Sequence, residues 1–299
     1  MAHPPDRPAV QAAIPHRMVV RLTCVLVAAM LSLSAIAAAS IEHVQAATPA
    51  AAAKRGIASV VYLRSAPDKL RFAGASWAYS WNTWVPYSTT GLESVPMIRD
   101  SRGTTDAIVR RLRDGRLAGG YRHLLGFNEP DHANQANLTP TQAANLWPKL
   151  MATGLTLGSP APALPTDGWL KQFMALVAKR KLRVDFIALH FYANITDRLA
   201  VQRIKTQIAM IRQHYGKPIW VTELGIIDTR QNQGSALANT AAAQKFMRSV
   251  TAMLDALPYV QRYAWMGDNV YARQHLHWSS LYDSKNRLTQ LGVTYKNLN

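Results

Sequence analysis

From Lys54 onward the chain alternates short apolar runs with longer amphipathic stretches. Runs rich in β-branched and aromatic residues predict strands at 56–62, 73–79, 94–99, 123–128, 155–159, 185–191, 218–224 and 260–266. The amphipathic stretches between them predict helices near 104–117, 139–152, 167–180, 198–214 and 237–256. Thr139-Pro140 followed by Gln142 reads as an N-cap with proline in the first turn. Gly154 and Gly216 fall where a helix must stop before the next strand. Strands alternating with helices predict a parallel sheet, and eight such units predict closure into a single (β/α)8 TIM barrel. The first three units are irregular, with weak helices after the first two strands, and no short repeat underlies the alternation.

Before Lys54 the pattern changes. Arg7, Arg17 and Arg21 precede an uncharged apolar run at 22–39, and Val44-Gln45-Ala46 fits a small-x-small cleavage site, with Ala37-Ala38-Ala39 as the alternative. Residues 1–46 are therefore expected to be a signal peptide and 47–53 a low-complexity linker. The catalytic domain is expected over 54–299. This reading makes the protein secreted or periplasmic, with no membrane span once the signal is removed. A retained single-span anchor is the alternative. Cys24, the only cysteine, lies at the start of the apolar run rather than its end, which argues against lipidation, and its removal leaves no thiol. The 253 residues after position 46 suit one barrel, and they carry 31 basic against 15 acidic side chains. That excess would suit an anionic partner, but the basic residues are scattered. Only Arg110-Arg111-Arg113 and Lys179-Arg180-Lys181 cluster, both on predicted surface helices, so no specific nucleic-acid partner is expected.

Candidate chemistry collects at predicted strand ends, where barrel enzymes keep their active sites. HLLGFNEPD at 123–131 and IWVTELG at 219–225 each end an apolar run with a glutamate and a turn residue. Pro130 bars Glu129 from the right-handed helical region, so an extended conformation at the strand tip is expected. Glu129 and Glu223 lie 94 residues apart, about three strand–helix units, which sets two carboxylates across one barrel rim. Facing carboxylates are the equipment for cleaving a glycosidic bond. Asn128, His190 and Tyr192 occupy neighbouring strand ends. Tyr263 and Trp265 share one face of strand eight, and Trp77, Tyr79 and Trp81 share one face of strand two with Trp84 just beyond. Tyr79, Trp81, Trp84, Tyr263 and Trp265 are taken as rings that line a polysaccharide cleft. Trp147 and Trp169 lie in helical stretches and are expected in the core, and Trp220 is expected to pack outward beneath the helices. His275-x-His277 lacks companion ligands, so no metal site is expected. No G-x-S-x-G elbow and no glycine-rich phosphate loop occurs. No cofactor is implied.

These residues resemble glycoside hydrolase family 128, secreted endo-β-1,3-glucanases within the clan A barrel glycosidases. KRGIA at 54–58, ASWAYSW at 75–81, VPMI at 95–98, LLGFNEPD with QAN at 124–137 and LGSPA at 157–161 carry the likeness. It continues through DFIALHFY at 185–192, GKPIWVTELG at 216–225, YVQRYAWMG at 259–267 and LTQLGVTY at 288–295. The resemblance implies Glu129 as acid/base, Glu223 as nucleophile and Asn128 as a hydrogen-bond partner of the sugar 2-hydroxyl. It implies a β-glucan substrate, and the protein is expected to be a monomer. Three segments depart from the pattern: Arg99-Asp100 after strand three, Phe191 where tryptophan is common, and the long polar stretch 226–243. A clan A hydrolase of another β-linked polysaccharide, a silent glucan- or wall-binding protein and a charge-driven polymer binder remain as alternatives at this point.

Overall fold

The structure, a computed structural model, describes residues 51–59, 66–84, 91–227, 236–267 and 278–298. The expected signal peptide and the His275/His277 pair lie outside these residues. Among the described residues no helix is long and apolar enough to cross a membrane.

All eight predicted strand segments contain strands: β1 Arg55–Ala58, β2 Trp77–Tyr79, β3 Glu93–Ser94, β4 His123–Leu124, β5 Thr156–Leu157, β6 Ile187–Asn194, β7 Ile219–Ile227 and β8 Val260–Met266. The fold is α/β with parallel strands. Six of them form one sheet in the order β3-β2-β1-β8-β7-β6, and β4 pairs with β5. Isolated parallel bridges join Met97 to Leu125 and Gly158 to Phe186. The short strands are punctuated by residues that weaken a ladder, with Pro96 after β3 and Pro160 after β5. The five predicted helices appear as Asp106–Leu117, Pro140–Met151, Trp169–Lys179, Ala200–Tyr215 and Ala236–Asp255. Thr139 and Gln142 form the reciprocal capping box that their spacing suggests. Ala66–Phe72 forms where only a weak helix is expected, and Gln290–Lys296, capped by the Thr289 side chain, is an unpredicted helix.

The expected linker does not stay irregular to its end. Ala51–Lys54 make a helical turn. The buried Lys54 ammonium donates to the carbonyls of Asp255 (2.9 Å) and Leu257 (3.1 Å), occupying acceptors at and just beyond the end of Ala236–Asp255.

Apolar side chains segregate into two clusters on the two faces of the strands. The larger packs between the strands and the helices and includes Trp147 and Trp169, as expected. The smaller holds Ala58, Trp77, Tyr79, Phe186, Trp220 and Met266 on the opposite face. Phe186 stacks on Trp220 at 4.0 Å, and Trp77 lies 5.2 Å from Trp220. Gly56 makes room for this stack, since a Cβ there would lie 2.4 Å from the Trp77 ring.

Trp220 is therefore a correction, because it faces away from the helices. Thr222 is an extra residue in β7. Leu189 pairs with Val221 but His190 with Glu223, and the register against β8 shifts at the same place. Straight alternation from Glu223 puts Trp220 on the wrong side because it does not count this bulge. Tyr263 and Trp265 are a second correction. They do share a face, but it is the helix face, and both are fully buried. Alternation groups residues by face without saying which face is which. The opposite side, already filled by aromatic rings, receives the slimmer Ala264 and Met266 instead. The Tyr263 hydroxyl donates to Asp255 (3.3 Å), and the Trp265 indole donates to the Ser279 carbonyl (2.8 Å).

Trp265→Ala should consequently lower unfolding free energy by about 3–5 kcal/mol, the range for emptying a large aromatic site. Urea denaturation reads this directly. An unchanged midpoint would return Trp265 to the cleft.

Candidate active site

Asn128 and Glu129 follow β4, where hydrogen bonds from the neighbouring chain pin the backbone. The Asn128 amide donates to the Arg99 carbonyl (2.9 Å), and the Glu129 amide donates to the Ala161 carbonyl (2.8 Å). Glu129 has φ +40°, so the expected extended conformation does not form. Proline at the next position excludes the right-handed helical region but leaves the left-handed one open, and the chain takes the latter. Such a backbone costs of order 1–3 kcal/mol and persists only where surroundings dictate it. The His132 amide donating back to the Glu129 carbonyl (3.0 Å) is part of that constraint.

β6 and β7 supply the facing groups. His190 has no exposed side-chain surface and stands between the two carboxylates. Its Nδ1 lies 3.2 Å from Glu129 Oε1 and its Nε2 lies 3.5 Å from Glu223 Oε1. Glu223 is buried, and donors converge on it. Its Oε1 accepts from the Tyr79 hydroxyl (3.3 Å) and the Trp81 indole (2.8 Å), and its Oε2 accepts from the Tyr192 hydroxyl. Gly225 lets the Tyr192 ring lie against β7, since a Cβ there would meet that ring at 3.0 Å. Burial, with the Glu223 charge second, pushes the Tyr79 hydroxyl well above its ordinary range, so it remains a donor.

One suitable atom from each of Glu129, His190 and Glu223 lies within 4.8 Å of the others. A cation could be held at that spacing, but the oxygens of Glu223 already accept hydroxyl and indole donors that it would have to displace. Two carboxylates this close, one of them buried, suit proton transfer combined with nucleophilic attack.

The structure thus gathers Asn128, Glu129, His190, Tyr192, Glu223, Tyr79 and Trp81 at one end of the strands. It leaves Tyr263 and Trp265 under the helices. Trp84 is 54% exposed. Sequence reasoning gave Gln135 no role, yet its Oε1 accepts from Asn128 Nδ2 (3.3 Å) and Arg99 Nη2 (2.7 Å). Gln135 sits in a loop with no periodicity, and the signals near it are the QAN segment at 135–137 and the Arg99 departure. Asn128 Oδ1 is buried without a hydrogen-bond partner.

A family model described as "Glycosyl hydrolase catalytic core" matches residues 58–295. Among solved structures, the chain is similar to a subgroup I family 128 endo-β-1,3-glucanase of Amycolatopsis mediterranei, a mutant in complex with laminaripentaose. The identity is 32%, over 82% of this chain and 99% of that one, with a TM-score of 0.70. It is also similar to a subgroup II endo-β-1,3-glucanase of Sorangium cellulosum (28%, 82% and 98%, TM-score 0.67). A third likeness is to a subgroup III curdlan-specific exo-β-1,3-glucanase of Blastomyces gilchristii in complex with glucose (29%, 83% and 100%, TM-score 0.64). No curated protein sequence matches the chain.

The His190 environment gives a pH signature. Burial by itself lowers the imidazole pKa, but the Glu223 charge, then the hydrogen bond and charge of Glu129, outweigh it and leave the pKa raised. A folded pKa above the ordinary value of about 6.5 means that the imidazolium stabilises the fold fully below that pH. The contribution is lost as pH rises through the folded value. The stability difference between wild type and His190→Gln, from urea unfolding, should be largest below about pH 6.5 and shrink as pH rises above it. A difference growing with pH would show neutral imidazole to be the favoured form.

Proposed function

The chain belongs to the glycosyl hydrolase catalytic core family, within glycoside hydrolase family 128, and is a glycoside hydrolase; from that premise we propose that it is a retaining endo-β-1,3-glucanase on a closed (β/α)8 barrel. The observation that carries the proposal is the close approach of Glu129 and Glu223, with atoms of both within 4.8 Å of each other and of His190. Retaining glycosidases hold their carboxyl groups about 5–5.5 Å apart, whereas inverting ones leave about 6.5–9.5 Å for a water. Closure of the barrel is supported by backbone hydrogen bonds beside the two isolated bridges. Ile98 N donates to Leu125 O (3.1 Å) and Ser159 N to Phe186 O (2.9 Å), across the gaps between the β4–β5 pair and the larger sheet. The β-1,3-glucan specificity and endo action are supported by the Amycolatopsis and Sorangium relatives, both endo-β-1,3-glucanases.

On this reading Glu129 protonates the glycosidic oxygen as Glu223 attacks the anomeric carbon, which releases one product and leaves a glycosyl ester on Glu223. Glu129, now a carboxylate, deprotonates the water that attacks the same carbon, and the ester bond breaks. Asn128 takes the 2-hydroxyl of the reacting sugar, for which its unpartnered Oδ1 is suited. Trp84 offers a stacking face at the rim. The mature enzyme acts as a monomer outside the cytoplasm, after removal of residues 1–46.

Linear β-1,3-glucan should release reducing ends as oligosaccharides of mixed length, initially in the β configuration. Glucose as the sole early product would mean exo action, and no release would remove the proposal. Glu223→Gln should reduce turnover to background, since an amide cannot form the ester. Glu129→Ala should lose at least about 10²-fold on glucan and far less on activated aryl glycosides, which need little protonation to depart. Azide should partly rescue this variant and yield the β-glycosyl azide. An α-azide from Glu223→Ala instead would exchange the two roles.

Export is tested separately. N-terminal sequencing of protein recovered outside the cytoplasm should begin at or near Ala47. A mature chain that keeps Met1 would overturn the signal-peptide reading.

A further inference from the structure

Trp81 is expected from its sequence position to be a sugar-stacking ring, but its geometry gives it other work. Its indole Nε1 lies 2.8 Å from Glu223 Oε1, shorter than the Tyr79 contact to the same oxygen. An indole has one polar atom and that atom only donates, so the direction of this bond carries no ambiguity. The backbone is arranged to deliver it: Trp81 has φ +54°, a conformation that side-chain-bearing residues rarely adopt. The turn is held in place by the Met97 amide donating to the Asn82 carbonyl (2.8 Å). The ring meets Tyr79 edge-on, with centroids 5.1 Å apart, so both donors on Oε1 brace each other.

The two oxygens of Glu223 are therefore unequal. Oε1 takes Tyr79 and Trp81 and also faces His190 Nε2, whereas the hydrogen bond shown to Oε2 comes from Tyr192. We infer that Trp81 is a positioning residue that holds Glu223 by Oε1, presents Oε2 for attack, and stabilises the carboxylate as it is expelled from the glycosyl ester. The inference rests on Glu223 being the nucleophile.

The consequence differs between the two chemical steps. A hydrogen bond to an ionised oxygen is stronger than one to a neutral ester. In the second step, water oxygen bonds to the anomeric carbon and its proton passes to Glu129. The carbon–Oε2 bond breaks, and its electron pair returns to Glu223 as carboxylate. The hydrogen bond from the indole N–H to Oε1 strengthens during this step and lowers its barrier. In the first step the carboxylate is consumed and the same bond weakens. Losing the N–H thus handicaps release of the glycosyl group more than its capture. A stacking platform would act otherwise, by holding substrate in both steps and changing KM.

The test compares wild type with W81F and with a chain carrying 3-benzothienylalanine at position 81, which keeps the bicyclic ring and replaces N–H by sulfur. Activated aryl β-laminaribioside is the substrate, followed by rapid quench and intact-protein mass spectrometry. Both variants should show a deglycosylation rate about 10- to 10²-fold lower, from one lost hydrogen bond to a charged group. They should also show a burst of aryl alcohol and a glycosyl adduct on the enzyme, with the substrate dissociation constant within about threefold of wild type. A weakened dissociation constant with an unchanged deglycosylation rate would overturn the inference and restore the stacking role. The benzothienyl chain decides the matter if W81F misfolds. Retained turnover in Glu223→Gln would remove the premise instead, whatever the Trp81 variants do.

Discussion

One extra residue in β7 sets the active site. Val221 packs under the helices, so uninterrupted alternation would send residue 223 to the same side, into the apolar layer. The bulge at Thr222 adds one position and turns Glu223 to the face that Trp220 occupies. Burying a lone carboxylate in the helix layer would cost several kcal/mol, whereas on the opposite face Tyr79, Trp81, Tyr192 and His190 meet it. Thr222 is buried too, and its hydroxyl donates to the Leu189 carbonyl (3.4 Å), across the strand where the register slips. Re-aiming one side chain is a recurrent use of such a bulge.

The same face is layered. Phe186, Trp220 and Trp77 form an aromatic floor, and Arg262 lies over the Trp220 ring at 4.4 Å, with its guanidinium bonded to Glu93 (2.6 Å). Glu93 also holds His123, and these partners together bring its pKa down to about 2 against the opposing effect of burial. A charged cluster therefore lies on one side of the aromatic floor and the Glu129–His190–Glu223 group on the other. Buried apolar rings separate them, and the low local dielectric of such surroundings strengthens each interaction in the Glu129–His190–Glu223 group.

Much of this was legible in the chain. Strand and helix segments announced themselves through apolar runs, caps and stops, and the two glutamates stood out because each ends a strand-like run before a turn residue. What failed to show has one origin. Periodicity reports relative facing along an unbroken strand, and the decisive positions depend on breaks or on absolute facing. Thr222 carries no bulge signature such as glycine, so Trp220 was placed outward. Tyr263 and Trp265 were grouped correctly and assigned to the wrong side, because volume on the crowded face decides it. Glu129 was recognised by its proline, but the proline excludes one conformation without choosing between the two that remain. Trp81 shows its ring in the sequence, whereas its hydrogen bond to Glu223 appears only in the fold.

Arg99 shows how a departure in sequence can be read once the neighbours are known. A guanidinium donates and never accepts, so the Gln135 atom facing Arg99 must be the carbonyl oxygen. That oxygen also faces the Asn128 amide, so Asn128 must turn its NH2 group towards Gln135. The Asn128 carbonyl oxygen then points elsewhere, buried and unpaired. An unmet acceptor of this kind costs about 1–3 kcal/mol, and replacing Arg99 by an apolar residue would remove the reason for the amide to stay so oriented. Backbone constraint acts in the same direction, because the Asn128 N–H is tied to the carbonyl of Arg99 itself. One residue thus fixes both the main chain and the side-chain polarity of its neighbour beside Glu129. The departure from an apolar continuation lies in the half-buried segment after β3, but its effect is felt next to Glu129.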